Sequence, residues 1–335
     1  MLTTVMAAAF LAVALGAMAA DSSRQLRVGL VLEQPVVTRA GDPFQYGAYQ
    51  GLLRAARDLH IQAKTAEPKP TGGGDQYLAA MTYLARQHYD LVIALGTFEV
   101  SAVARAARLF PHEKFVLLDG ARQLIHKAPA NLEGTDFHVE QAAFLAGFLA
   151  ARMVDRLPRP HVVSSVAGVP IGTVQAYVAG FQAGAKRADP KIRLLNAYTY
   201  DFVNQARCRH AALSQIAHGS QVVFDVAGAC GLGALEVAKR KGVFGIGVDI
   251  DQHYLGKFIL TSVVKNLNAA VYDLAKRLVA GRLRTGGNLS FDLRDRGVGL
   301  GAFSPQVPRT LRRELIPLAA QIRQEKIVVP TTLSR

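Results

Sequence analysis

The chain has 335 residues, 50% hydrophobic and 19% charged, which excludes a disordered chain and suffices for a large core divided between two compact domains. Lys and Arg (39) exceed Asp and Glu (25), a formal net charge of +14. The basic residues are scattered and nowhere interleaved with aromatics, so the excess reads as a basic surface rather than a nucleic-acid footprint.

Residues 1–19 carry no charge, and Val5 to Leu15 is an unbroken apolar run too short to span a bilayer comfortably. Ala17-Met18-Ala19 supplies the small-x-small pattern of a signal-peptidase site, so residues 1–19 are expected to be a signal peptide cleaved before Ala20. No Lys or Arg precedes the run, which a misassigned start codon would explain; a buried N-terminal helix is the alternative. No cysteine follows the run, so no lipid anchor is expected. No later segment reaches the length of a membrane span, and the mature chain is expected to be exported and soluble.

Apolar runs at Leu26–Leu32, Asp90–Leu95, Lys114–Leu118, His161–Val166, Gln221–Val226 and Gly245–Asp249 read as buried parallel strands. Between them Phe44–Leu59, Gln76–Gln87, Ser101–Leu109, Glu140–Val154, Thr173–Arg187, Gln205–Ala217 and Gly233–Arg240 read as helices. A strand–helix repeat of about 25–35 residues means βαβ units, right-handed, with helices on both sheet faces. A last block holds a strand at Phe258–Val263, a helix at Asn266–Val279, one or two strands within Phe291–Leu300 and a closing helix at Thr310–Gln324. The chain is expected to cross back between two lobes there. Internal repeats are absent, and Pro68–Asp75 reads as a surface turn.

Ligands of open parallel sheets bind beyond the carboxyl ends of the strands, near helix N-termini. That rule selects Gly41-Asp42-Pro43-Phe44, Gly96-Thr97-Phe98, Asp119-Gly120, Gly168 to Gly172, Tyr200 to Asn204, Gly228 to Gly233, and Asp249 to Gln252. The 228–233 turn is ordered G-x-x-G-x-G and lies late in the chain, which disfavours a dinucleotide fingerprint; Thr71 to Gly74 lacks the Lys-Ser/Thr of a P-loop. Asp251 reads as a cap or solvated loop residue and Asp249 as a ligand hydrogen-bonding group. The nine histidines do not fall at metal-ligand spacing, and no nucleophile–base–oxyanion set assembles, so no metal, no cofactor and no catalysis are expected. Cys208 and Cys230 lie near successive strand-to-helix turns; a disulfide and a pair of buried thiols are both open.

Several segments, in this order, resemble the basic membrane protein family of ABC-importer substrate-binding proteins, which includes purine-nucleoside receptors. They are Val28 to Val31; Phe44-Gln45-Tyr46-Gly47-Ala48-Tyr49-Gln50-Gly51-Leu52, similar to S-F-N-x-x-x-W-E-G-L; Phe115 to Asp119; Phe144 to Gly147; Tyr177 to Gly184; Val226-Ala227-Gly228; Gly245 to Gln252; Leu260 to Lys265; and Gly297 to Leu300. The resemblance runs from about Leu26 to Phe303. It implies a type I periplasmic-binding-protein fold, two doubly wound parallel-sheet lobes joined by hinge crossovers. The lobes are expected at 20–137 plus about 255–285, and at 138–254 plus about 286–335.

The resemblance further implies a purine nucleoside or nucleobase held between Phe44 and Phe202. Gly228 would give the ring close backbone approach, Asp249 and Lys265 would hold ribose hydroxyls, and Asp119 would be a further acceptor. The family's Asn-Asp pair falls at Ala40 and Gly41 here, and its Trp at Tyr49; Gln45 and Asp42, or Arg39, would compensate. The implied partners are a small-molecule ligand and an inner-membrane ABC permease, with no nucleic acid, the protein being a periplasmic, unlipidated monomer. The alternatives are another small ligand, a ligand-sensing module, and a nucleoside-processing enzyme.

Overall fold

The structure, a computed structural model, describes residues 24–32, 38, 41–68 and 76–333. The signal peptide expected at 1–19, Arg39 and Ala40, and most of the 68–75 turn lie outside the described residues. In chain order the elements are β1 (Arg27–Val31), α1 (Pro43–Leu59), β2 (Gln62–Ala66), α2 (Gln76–Arg86), β3 (Leu91–Leu95), α3 (Val100–Leu109), β4 (Lys114–Leu118), β5 (Leu132–Phe137), α4 (Val139–Val154) and β6 (Val162–Ala167). They continue with α5 (Gly172–Ala188), β7 (Arg193–Tyr198), α6 (Gln205–Ala217), β8 (Val222–Val226), α7 (Gly228–Arg240), β9 (Phe244–Asp249), β10 (Ile259–Lys265), α8 (Leu267–Val279), β11 (Asn288–Phe291), β12 (Val298–Leu300) and α9 (Arg309–Arg323).

Two six-stranded sheets result, ordered β11-β5-β4-β3-β1-β2 and β12-β10-β9-β8-β6-β7. All pairings are parallel except β10 with β12. Strand alternation gives each sheet two apolar faces. Leu91, Ile93 and Leu95 join Leu30, Val116 and Leu118 on one side, while Val92 and Ala94 join Phe115 and Leu117 on the other. Burial on both faces is what makes these strands continuous apolar runs.

The fold class is as expected, a type I two-lobe architecture, but the lobe boundaries differ. β10, expected with the first lobe, pairs parallel to β9 in the second sheet. β11, expected in the second lobe, pairs parallel to β5 in the first. The misreading has a physical cause. Parallel neighbours ordinarily need a crossover of a dozen or more residues, usually a helix; β9 and β10 are joined by 250–258, which holds only the one-turn helix His253–Leu255. The chain therefore crosses between lobes at His138, at Asn266 and over 292–297.

The first two crossings exchange helices. α4, which follows the first lobe's β5, packs on α5 and the second sheet; α8, which follows the second lobe's β10, packs on α1 of the first. The α4–α5 contact is close enough to require glycine. A Cβ at Gly147 would overlap the Phe181 carbonyl, one at Gly184 the Phe144 carbonyl, and one at Gly180 the Glu140 carbonyl. The Phe144-to-Gly147 and Tyr177-to-Gly184 segments are thus largely a helix-packing device. Gly184→Ala is expected to lower stability by about 1–3 kcal/mol, because backbone cannot yield as a side chain can; the urea midpoint measures it.

Candidate functional site

One cavity lies between the lobes, walled by the carboxyl ends of β3, β4, β8, β9 and β10 and by the N-termini of α1, α5 and α7. Its volume is about 100 Å3. Ligand pockets ordinarily measure about 300–1,000 Å3, so the lobes stand closer than a bound molecule of that class requires. All eight side chains or backbones selected from the sequence line it: Asp42, Phe44, Gln45, Asp119, Phe202, Gly228, Asp249 and Lys265.

Its centre is electrostatic. Lys265 ends β10, at the second crossing, and its side chain is only 3% exposed. The Nζ donates to Asp119 Oδ2 of the first lobe at 2.6 Å and stands 3.9 Å from Asp249 Oδ1 of the second. It also lies 5.1 Å from the Phe44 ring centre and 5.3 Å from that of Tyr177, so its charge faces one aromatic from each lobe. The Tyr177 hydroxyl donates to Asp249 Oδ1 at 3.2 Å.

Burial raises the Asp119 pKa above the ordinary carboxylate value, opposed by Lys265. Burial likewise pushes Asp249 up to about 6, opposed by Lys265 and reinforced by the Asp119 charge. Both aspartates adopt left-handed backbone, φ 59° and 63°, just where β4 and β9 end. Asp is among the few side chains that tolerate this conformation, and such geometry concentrates at functional sites.

The aromatic wall differs in part from expectation. Phe44 and Phe202 do line the same cavity from opposite lobes. The ring that meets Phe202, however, is Phe98, edge-on at 6.0 Å and 74°. Phe98 sits on a one-turn helix, Thr97–Glu99, whose buried Glu99 carboxylate accepts from Leu95 N at 3.0 Å. Gly228, φ 55°, stands beside Phe202, its notional Cβ 3.6 Å from the Phe202 carbonyl. The tightest approach to the ring is made by Gly168, where a Cβ would overlap it.

Asp42 and Gln45 form the start of α1. Asp42 Oδ1 accepts from Gln45 N at 3.1 Å and Oδ2 from Gln45 Nε2 at 2.8 Å, with Pro43 as first helical residue. Their bonding is that of a helix cap, which also aims Phe44 into the cleft. The helix beyond β8 starts at Gly228 rather than Gly233, so its N-terminus reaches the cavity.

Thr97, Phe98 and Val203 also line the cavity, within turns the strand-end rule selected but not singled out as ligand residues; Thr173 and Tyr177 line it from outside those turns. The signal for Phe98 was present, since Gly96-Thr97-Phe98 follows a strand. Tyr177 lies inside a helix, where no turn marks it. Away from the cleft, Asp155, His161 and Asp189 gather their ligand atoms within 4.8 Å, a grouping that histidine spacing did not reveal; Arg152 already pairs with Asp155. Cys208 and Cys230 are joined in a disulfide.

Two α/β lobes, three crossings, and polar and aromatic groups facing one another across the cleft are the architecture of type I periplasmic-binding proteins. The chain belongs to the Bmp family, described as ABC transporter substrate-binding protein PnrA-like, whose model matches residues 30–332, which makes it a transport component rather than an enzyme. It is similar to basic membrane protein A of Borreliella afzelii, 27% identical over 292 residues, covering 86% of this chain and 87% of that one. It is also similar to the ABC transporter nucleoside-binding protein BmpA of Lactococcus lactis subsp. cremoris, 26% identical over 277 residues and 77% of each chain. Among solved structures, a solute-binding protein from Aeropyrum pernix K1 shares the fold with TM-score 0.79 at 20% identity, over 92% of this chain and 94% of that one. A transcriptional activator of comK from Bacillus halodurans does so with TM-score 0.76 at 22% identity, over 91% and 99%. An ABC transporter system implies a membrane permease and a small-molecule cargo, and fold and family are typical of exported periplasmic proteins.

Two predictions follow from the charge cluster. Protonation of Asp249 stabilises the folded chain fully below its ordinary value of 3.8, and that contribution is lost as pH rises through about 6. Asp249→Asn should therefore flatten the change of urea midpoint between pH 4.5 and 7. Lys265→Met leaves two buried carboxylates without a cation and should cost about 3–5 kcal/mol at pH 8, less at pH 5, where Asp249 is protonated; the same titration measures it.

Proposed function

We infer that the chain binds a purine nucleoside or nucleobase between its lobes, delivers it to an inner-membrane ABC permease, and works as a freely diffusing periplasmic monomer after cleavage of residues 1–19. The observation that carries this reading is the placement of Phe44 and Phe202 on opposite lobes around one cavity that also holds Asp119, Asp249 and Lys265. A flat heterocycle meets an aromatic face from each lobe, and its polar edge or ribose meets the charged cluster. Stacking tolerates the identity of the base, whereas buried polar partners left unpaired penalise a wrong edge. A ligand touching both lobes stabilises the closed arrangement, which is the form a permease distinguishes. The nucleoside-binding relative from Lactococcus lactis supports the same ligand class.

The cavity in its present arrangement is too small for a nucleoside, so binding requires the three crossings to flex. Calorimetry of the purified chain with adenosine, guanosine, inosine, adenine, uridine and ribose is the direct test. Binding of purines at a 1:1 ratio without turnover is expected, and no heat with any purine overturns the reading. Phe44→Ala and Phe202→Ala should each weaken binding by about 1–3 kcal/mol, the contribution of one stacked ring. Unchanged affinity in both refutes the aromatic clamp.

A further inference from the structure

The loop 199–204, between β7 and α6, carries Phe202. Of its apolar side chains Phe202 packs against the core, while Tyr200 and Val203 on either side are 68% and 60% exposed. Its anchors fall on two features: the end of β6, where Thr199 N and Tyr200 N donate to the Ala167 and Gly168 carbonyls at 2.8 and 3.2 Å, and the Cys208–Cys230 bond. The Cys230 N–H donates to the Phe202 carbonyl at 2.8 Å, and Cys230 Sγ lies 3.0 Å from the Asn204 carbonyl oxygen. The Thr199 hydroxyl reaches the carbonyls of Ala167 and Asp201, each at 3.1 Å, and its oxygen sits 3.8 Å from both sulfurs of the Cys208–Cys230 bond. Asp201 Oδ1 closes the loop internally, accepting from Val203 N and Asn204 N at 2.8 Å. The disulfide joins α6, which the loop enters, to the first turn of α7, against which the loop rests.

We propose that the Cys208–Cys230 disulfide is a positioning element for ligand binding, holding the Phe202 loop against α7 so that the ring stands preformed at the cavity wall. Without it, α6 and the first turn of α7 lose their covalent tie, leaving Gly233 of α7 seated on the Gln205 carbonyl of α6, and the loop loses part of the surface that orders it. Ligand binding must then order the loop as well as close the lobes, and affinity falls by the cost of that ordering. Both cysteines are fully buried, so a reductant does not reach the bond in the folded chain. The bond is set during folding and is not a switch in the finished protein. The inference rests on the aromatic-clamp reading for its effect on affinity, but not for its effect on the loop.

The test compares wild type with Cys208→Ala/Cys230→Ala and with the bulkier Cys208→Val/Cys230→Ala. In ligand-free protein, amides of 199–204 should exchange with deuterium at least about tenfold faster in both variants, while those of β8 and β9 stay protected. Adenosine affinity should fall about tenfold, as expected where preorganisation is lost. In a Phe202→Ala background, removing the disulfide should cause no further loss. A lower melting temperature with unchanged loop exchange and affinity means a purely structural bond and overturns the proposal. So does failure of both variants to fold, which would show the bond supporting the whole lobe. If adenosine does not bind wild type while loop exchange still responds, the ligand assignment fails and the positioning role stands.

Discussion

The lobes meet at one ammonium group. Lys265 reaches Asp119 of one sheet and Asp249 of the other, and faces an aromatic ring from each. Two carboxylates brought together out of water repel each other and lose hydration; a single cation between them is what makes their proximity tolerable. The raised pKa values of both aspartates show that the compensation is incomplete. A cleft in that condition favours a cargo that offers hydrogen-bond donors to the carboxylates.

That arrangement depends on how the chain changes lobes. Lys265 is the last residue of β10, and the next residue, Asn266, caps α8 by accepting from Ala269 N while its own N–H donates to Gly297 O of the third crossing. The charged cluster and two crossings therefore share a few residues. Exchange of α4 and α8 between lobes places close helix contacts on each side of the crossings, α4 on α5 and α8 on α1.

Much of this was legible in the sequence, for reasons the structure makes plain. Strands buried on both faces are continuous apolar runs, and the rule that ligands sit beyond strand ends selected the turns that line the cavity. β2 was missed because it is an edge strand with exposed alternate residues, Gln62 and Lys64 among them. β10 and β11 went to the wrong lobes because pairing partners are set by packing, which spacing alone does not reveal. Asp42 and Gln45 were read as reaching for a ligand, while their mutual bonding is a cap. Phe98 was reached only as part of its turn, and Tyr177 escaped, because a side chain's role across a cleft depends on the other lobe's position.

The two sheets follow one plan, although the sequence shows no repeat. Matching them by strand order sets β4 against β9, with Asp119 after one and Asp249 closing the other, both left-handed. Gly96 and Gly228 likewise follow β3 and β8 with positive φ. The match breaks at the next strand. β10 ends in Lys265, whereas β5 ends in Phe137, stacked on Phe291 at 4.8 Å. A near-palindromic chamber would accept an elongated guest in either of two orientations. One lysine without a counterpart removes that degeneracy, so the chamber has a head and a tail.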